Sequence, residues 1–244
     1  MRLLKLASVF HSIAGFFQRW PWAGWAGWII ICAISVARVR GRPFAATFGV
    51  YLNAANHLRM REHLYGPADP THYDPFNISG YLYWPVSALV VVPFTYVSSY
   101  LAAAFMLILS AMVLSCGAVA LTRALFANSS QPISPPMAAG ILLLINVPVV
   151  WYNFKSVQAQ IIMTGGMMLA AAAMIRGRWN LASLWLFIAV VFKPLAIVMV
   201  LMCGWLSARM RLSLIAAIIM ALIVPFAFAD TGYLLGEYLS LIHI

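Results

Sequence analysis

The stretch YLAAAFMLILSAMVLSCGAVAL, Tyr100–Leu121, decides the fold. It carries no formal charge and matches the roughly 17–25 residues that cross a hydrocarbon layer as a helix. Trp22–Ala37, Val157–Ile175 and Leu212–Ala229 are likewise free of charge and of similar length. A helix is the one open-ended element that satisfies its own backbone in lipid. These runs predict an all-α, polytopic transmembrane helical bundle. Composition agrees: hydrophobic residues make up 64% of the chain and charged ones 8%, against roughly 25% charged in soluble domains. A water-exposed fold would lack the polar surface to cover itself.

The formal net charge is +10, yet the cations form no patch. They fall in small groups at segment ends: Arg38/Arg40/Arg42, Arg59/Arg61, Arg176/Arg178 and Arg209/Arg211. That pattern marks membrane loops and excludes nucleic acid as a partner. Cys32, Cys116 and Cys203 sit in apolar segments without CxxC spacing, so they read as small core residues. Arg19, the apolar run and Ser35-Val36-Ala37 imitate a cleavable signal. The long preceding stretch and the immediate Arg38 point instead to a retained anchor.

Residues 1–20, with Arg2, Lys5 and Arg19 among Leu and Phe, predict a cytoplasmic amphipathic N-terminus. Residues 21–238 form the expected transmembrane domain, entered through Trp20, Trp22, Trp25 and Trp28 at an interface. One long outer loop, 38–99, carries short interfacial helices. It holds three of the five acids, Glu62, Asp69 and Asp74, and three of the five histidines, His57, His63 and His72. Polar residues concentrated in one loop of a greasy chain are the place to look for chemistry. Within it, Thr47–Leu64 can form a helix with Phe48, Tyr51, Leu52 and Ala55 on one side. Gly66–Pro70 and Asp74-Pro75 break regular structure, and Pro85–Val97 is too short to cross. Met137–Val150 reads as a third span, Trp151–Ser156 as a turn, and Leu239–Ile244 as a non-native tail on a C-terminally truncated chain.

Residues 179–208 discriminate between topologies. A single helix would place Lys193 mid-membrane, at about 2.5–3.5 kcal/mol, with Arg176/Arg178 opposite Arg209/Arg211. A hairpin broken at Lys193-Pro194 puts both arginine pairs on the cytoplasmic side. The last span is 212–229, leaving Asp230 and Glu237 outside. Seven cations then lie on the outer side, at 38, 40, 42, 59, 61, 155 and 193. Eight lie inside, so the positive-inside rule is only weakly obeyed: either the orientation is reversed, or the outer cations are kept for a reason such as a phosphate-bearing ligand.

Several short motifs occur in a telling order. Thr47-Phe48-Gly49-Val50-Tyr51 and Ala54-Ala55 are followed by Leu64-Tyr65, then by Tyr81-Leu82-Tyr83-Trp84-Pro85 with Ala88-Leu89 and Pro93. Ala159-Gln160 and Lys193-Pro194 come later. Together these resemble the GT-C membrane glycosyltransferases, specifically family 87, over most of residues 20–225. The resemblance implies a GT-C-like fold and a hexose, mannose in the family's type, moved from a polyprenyl-phosphate donor to an extracytoplasmic hydroxyl. It implies a multi-pass protein of the bacterial inner membrane, serving the cell envelope, with the active loop on the outer face. The partners are membrane lipids, the lipid-linked donor and a glycan or glycolipid acceptor. The donor is a substrate, so no cofactor is implied and no metal is indicated.

In such enzymes a loop carboxylate takes the proton of the attacking hydroxyl, while cations and aromatic hydroxyls hold the leaving phosphate. Here Thr47 occupies the expected aspartate position, leaving Asp74 and Asp69 as catalytic candidates, although both adjoin turn-forming prolines. The donor-binding candidates are Tyr51, Tyr81, Tyr83, Gln160, Lys193 and Arg42. Each has a plainer reading: belt aromatics for the tyrosines, an interhelical bond for Gln160, snorkelling for Lys193 and headgroup anchoring for Arg42. His57, His63 and His72 share no metal-ligand spacing. Two other functions compete: a polytopic transporter or flippase, and an inactive glycosyltransferase-like envelope subunit, which Thr47 makes credible.

Overall fold

The computed structural model describes residues 15–39, 46–65, 83–127 and 133–242, and every regular element among them is helical. In chain order they are α1 (Ala23–Val39), α2 (Ala46–Met60), α3 (Pro85–Val91), α4 (Ser99–Leu125), α5 (Pro135–Ile145), α6 (Val147–Lys155), α7 (Gln160–Ile175), α8 (Trp179–Phe192), α9 (Ile197–Leu206), α10 (Ala208–Ile223) and α11 (Thr231–Ile242). α4, at 27 residues, is about 40 Å long at ~1.5 Å per residue and can cross a bilayer unaided. Ser98 caps its start by accepting from the Leu101 N–H, and Arg123 sits in its last turn. α10 with the 3₁₀ turn Val224–Ala227 makes a second helix of crossing length.

Small residues set how these helices meet. A Cβ on Gly165 of α7 would lie 2.7 Å from the Leu114 nitrogen of α4, and one on Gly24 of α1 2.5 Å from the Gly140 backbone of α5. Such distances admit backbone against backbone, the usual way for helices to gain contact where lipid offers no hydrophobic drive. Farther along the first pair, Arg176 donates to the Ala120 carbonyl at 3.2 Å. Contacts therefore advance along α4 and α7 together, and the two run in the same direction. α5 and α6 bring the chain back between them.

The same argument resolves the hairpin. The hydroxyls of Ser183 and Ser213 lie 2.7 Å apart, and Val191 packs in one small cluster with Ala221. α8 and α10 are thus parallel, so α9 returns between them. Its Cys203 sulfur comes back to within 3.7 Å of Met174, at the end of α7. The break expected at Lys193-Pro194 is present, with a 3₁₀ turn over Pro194–Ala196.

These directions sort the described charges onto two ends. Arg19, Arg123, Arg176, Arg178, Arg209 and Arg211 share one end with no acid; we call it the arginine side. Arg38, Arg59, Arg61, Lys155 and Lys193 share the other with Glu62, Asp230 and Glu237. That loop side is capped by α2, α3 and α11. α2 buries Phe48, Tyr51, Leu52 and Ala55, the face read from its periodicity.

Three expectations are corrected. Met137–Val150 is not one straight span, and Trp151–Lys155 is not a turn. α5 and α6 are two helices bent by 58°, because Pro148 lacks an N–H and the Asn146 amide bonds back to the Leu142 carbonyl. The fourth span starts at Gln160 rather than Val157, whose φ of 49° lies outside any helix. On the loop side Glu237 is 1% exposed, because it shares a helical face with the fully buried Leu234 three residues earlier. α11 runs on through residues 239–242.

Candidate active site

The break between α8 and α9 creates a local shortage of donors. Pro194 has no N–H, and the Ala196 N–H goes to the Lys193 carbonyl at 3.1 Å. Carbonyls freed inside a membrane protein must find partners elsewhere. Here the capping helices supply hydroxyls: Ser87 of α3 donates to the Val191 carbonyl, and Tyr51 of α2 to that of Phe192 at 2.9 Å. The Tyr51 ring stacks on Tyr83, centroids 4.7 Å apart and planes at 26°. Tyr65 then donates to the Tyr83 carbonyl.

Lys193 stands beside this cluster. Its ammonium donates to the Gln160 Oε1 at 2.9 Å, and Gln160 opens α7. Both residues are half-buried. Among the described residues the ion pairs are His57–Glu62 and His63–Glu237, so no carboxylate neutralises Lys193 there. A cation with only a neutral partner at this depth keeps its capacity for an anion. Gln160 also lines a cavity of about 50 Å³ with Asn146, Asn153 and Thr164.

Four of the predicted residues thus converge: Tyr51, Tyr83, Gln160 and Lys193 surround one helix break. Asp69, Asp74, Tyr81 and Arg42 lie outside the described residues. Arg38 sits over the Trp151 ring, 5.0 Å from its centroid, which is an anchoring contact. Thr47, at the expected base position, is half-buried in the first turn of α2.

Sequence reasoning missed a second cluster next to the first. The Glu237 carboxylate accepts from the Leu64 N–H and from His63 Nδ1, each at 2.9 Å. Tyr233 donates to the Glu62 carbonyl at 2.6 Å. The phenols here are held neutral. Burial raises Tyr65 above its ordinary range, with the charges of Tyr238, Glu237 and Tyr233 adding to it. Burial pushes Tyr238 up to about 12. The available signal was a lone acid in the apolar run Thr231–Ile242, at helical spacing from Leu234.

Fold and site define a polytopic helical membrane protein whose loop-side cap closes over a broken helix. Residues 81–240 match the model of glycosyltransferase family 87, and the chain belongs to that family. The match includes Tyr83, Gln160, Lys193 and Glu237 and begins after α2, so Thr47 and Tyr51 lie outside it. No curated protein and no solved structure matches the chain.

Proposed function

We propose that this glycosyltransferase moves a hexose, mannose, from a polyprenyl-phosphate donor to a hydroxyl of an extracytoplasmic glycan or glycolipid, at the outer face of a bacterial inner membrane. The observation that carries this reading is Lys193, a half-buried cation whose one described partner is the neutral Gln160 amide. A lipid phosphate arriving from the bilayer would meet it at the level of the helix break. The orientation has a slight charge bias behind it: six described cations lie on the arginine side and five on the loop side, and the side richer in Lys and Arg is the one retained in the cytoplasm. In this reading Lys193 stabilises the phosphate as the glycosidic bond breaks, and Gln160 orients the ammonium. The half-buried Tyr83 offers its ring to a sugar, backed by the buried Tyr51 on which it stacks. Asp74 and Asp69 are acids of the same loop that can approach the reacting hydroxyl.

The test is transfer of labelled mannose from polyprenyl-phosphate mannose in proteoliposomes. Lys193→Ala should raise the donor KM or lower kcat by about ten- to a hundredfold, the worth of a charge-assisted hydrogen bond. Unchanged donor use by that variant would overturn the assignment. Thr47 favours one other reading, a non-catalytic envelope subunit. Wild-type protein that binds donor and never transfers would establish it.

A further inference from the structure

We propose that His63 is the proton acceptor for the attacking hydroxyl, with Glu237 as the positioning residue that fixes its ring. This inference rests on the glycosyl-transfer reading above and supplies a base where Thr47 cannot act.

The observation is an asymmetry within one ion pair. Glu237 is 1% exposed, while the His63 side chain bonded to it is 86% exposed. Removing a carboxylate from water is costly unless both oxygens are paired. Glu237 meets that condition with two consecutive residues: Oε2 takes the Leu64 N–H and Oε1 takes His63 Nδ1. An N–H facing the carboxylate places the ring hydrogen on Nδ1, so the lone pair resides on Nε2. That nitrogen has no partner among the described residues. A fixed imidazole with a buried carboxylate behind it and an open basic nitrogen in front is the arrangement that general-base catalysis requires.

The backbone beneath the ring is also held. His57 Nδ1 donates to the His63 carbonyl at 3.0 Å, and Tyr233 donates to the carbonyl of Glu62. The titratable groups around His63 are Glu237, Tyr233 and Tyr238 on α11, and His57, Glu62 and Tyr65 on α2 and its extension. The dyad is physically continuous with the donor cation. Two residues on, Tyr65 bonds to Tyr83, which stacks on Tyr51, which bonds to the carbonyl preceding Lys193.

The step balances. The acceptor hydroxyl oxygen forms a bond to the anomeric carbon as the bond from that carbon to the phosphate oxygen breaks. The breaking bond's electron pair leaves with the phosphate beside Lys193. The hydroxyl proton passes to His63 Nε2, giving an imidazolium stabilised by Glu237, and later leaves to water.

The experiment uses the full chain in proteoliposomes with polyprenyl-phosphate mannose, measuring kcat and donor KM against pH. His63→Ala should lower kcat by about 10²–10⁴-fold with the donor KM unmoved. It should also abolish the acidic limb of the kcat profile and recover in part with added imidazole. Glu237→Gln still accepts the Leu64 N–H, and it should lower kcat with the donor KM unmoved. Wild-type kcat in His63→Ala, or a reduced kcat with an unaltered pH profile, would overturn the inference while leaving glycosyl transfer standing. Wild-type protein that transfers nothing from any polyprenyl-phosphate hexose overturns both.

Discussion

The α4–α7 seam and the α8–α9 break solve the same problem in opposite ways. Along the seam two unbroken helices lie side by side, and glycines let the chains approach until a Cβ would strike backbone at 2.7 Å. At the break the ladder is interrupted: Ser87 and Tyr51 from two other helices donate to the freed carbonyls, and Gln160 from a third accepts from the Lys193 ammonium. The break brings hydroxyls, an amide and an ammonium to one place at membrane depth. Polar groups in lipid are costly, and here they gather around a single helix break.

Substitutions that break this contrast rank by their effect on stability. Gly165→Val should be the most damaging, because the obstruction is backbone rather than a yielding side chain. We expect about 3 kcal/mol or more, read as loss of monodisperse protein or a large drop in thermal midpoint. Next come Tyr51→Phe and Ser87→Ala, each of which leaves a buried carbonyl unserved at about 1–3 kcal/mol. Because both hydroxyls hold the segment that carries Lys193, these two variants should also impair donor use, which Gly166→Ala, where α7 meets α8, should not.

A smaller effect belongs to the phenols under the cap. Their folded pKa values lie above the unfolded value near 10. Their contribution is therefore complete below about pH 10 and is lost as pH rises through the raised values, about 12 for Tyr238. Alkaline titration should detach α11 before the seam yields, visible as hydrogen exchange at α11 ahead of α4. Lys193→Met should change stability least, within about 0.5 kcal/mol, and yet reduce sugar transfer strongly. Lys193→Met protein with normal transfer would erase the functional half of the comparison.

Much of this was readable from residues alone, and the reasons are local. Charge-free length specified α4. The apolar period of Thr47–Leu64 specified which side of α2 is buried. Arginine pairs flanking Lys193-Pro194 specified the hairpin, because burying one lysine and separating the pairs is the costlier arrangement. Gln160 and Lys193 were legible as polar residues that lipid would not accept without a purpose. Tyr51 and Tyr83 were legible only through the motifs that carry the family resemblance, since an interfacial belt explains tyrosines equally well. The 58° bend at Asn146 was not, since Pro148 is compatible with a first helical turn as well as with a stop.

Composition and periodicity determined that this chain is a bundle of apolar helices with its chemistry on one end, because transfer into lipid is summed residue by residue along a segment. Tertiary structure alone decided that Glu237 is buried against His63 and Leu64, residues more than 170 positions earlier. Whether a carboxylate faces water or a histidine depends on what packs over it, and no local pattern encodes that neighbour.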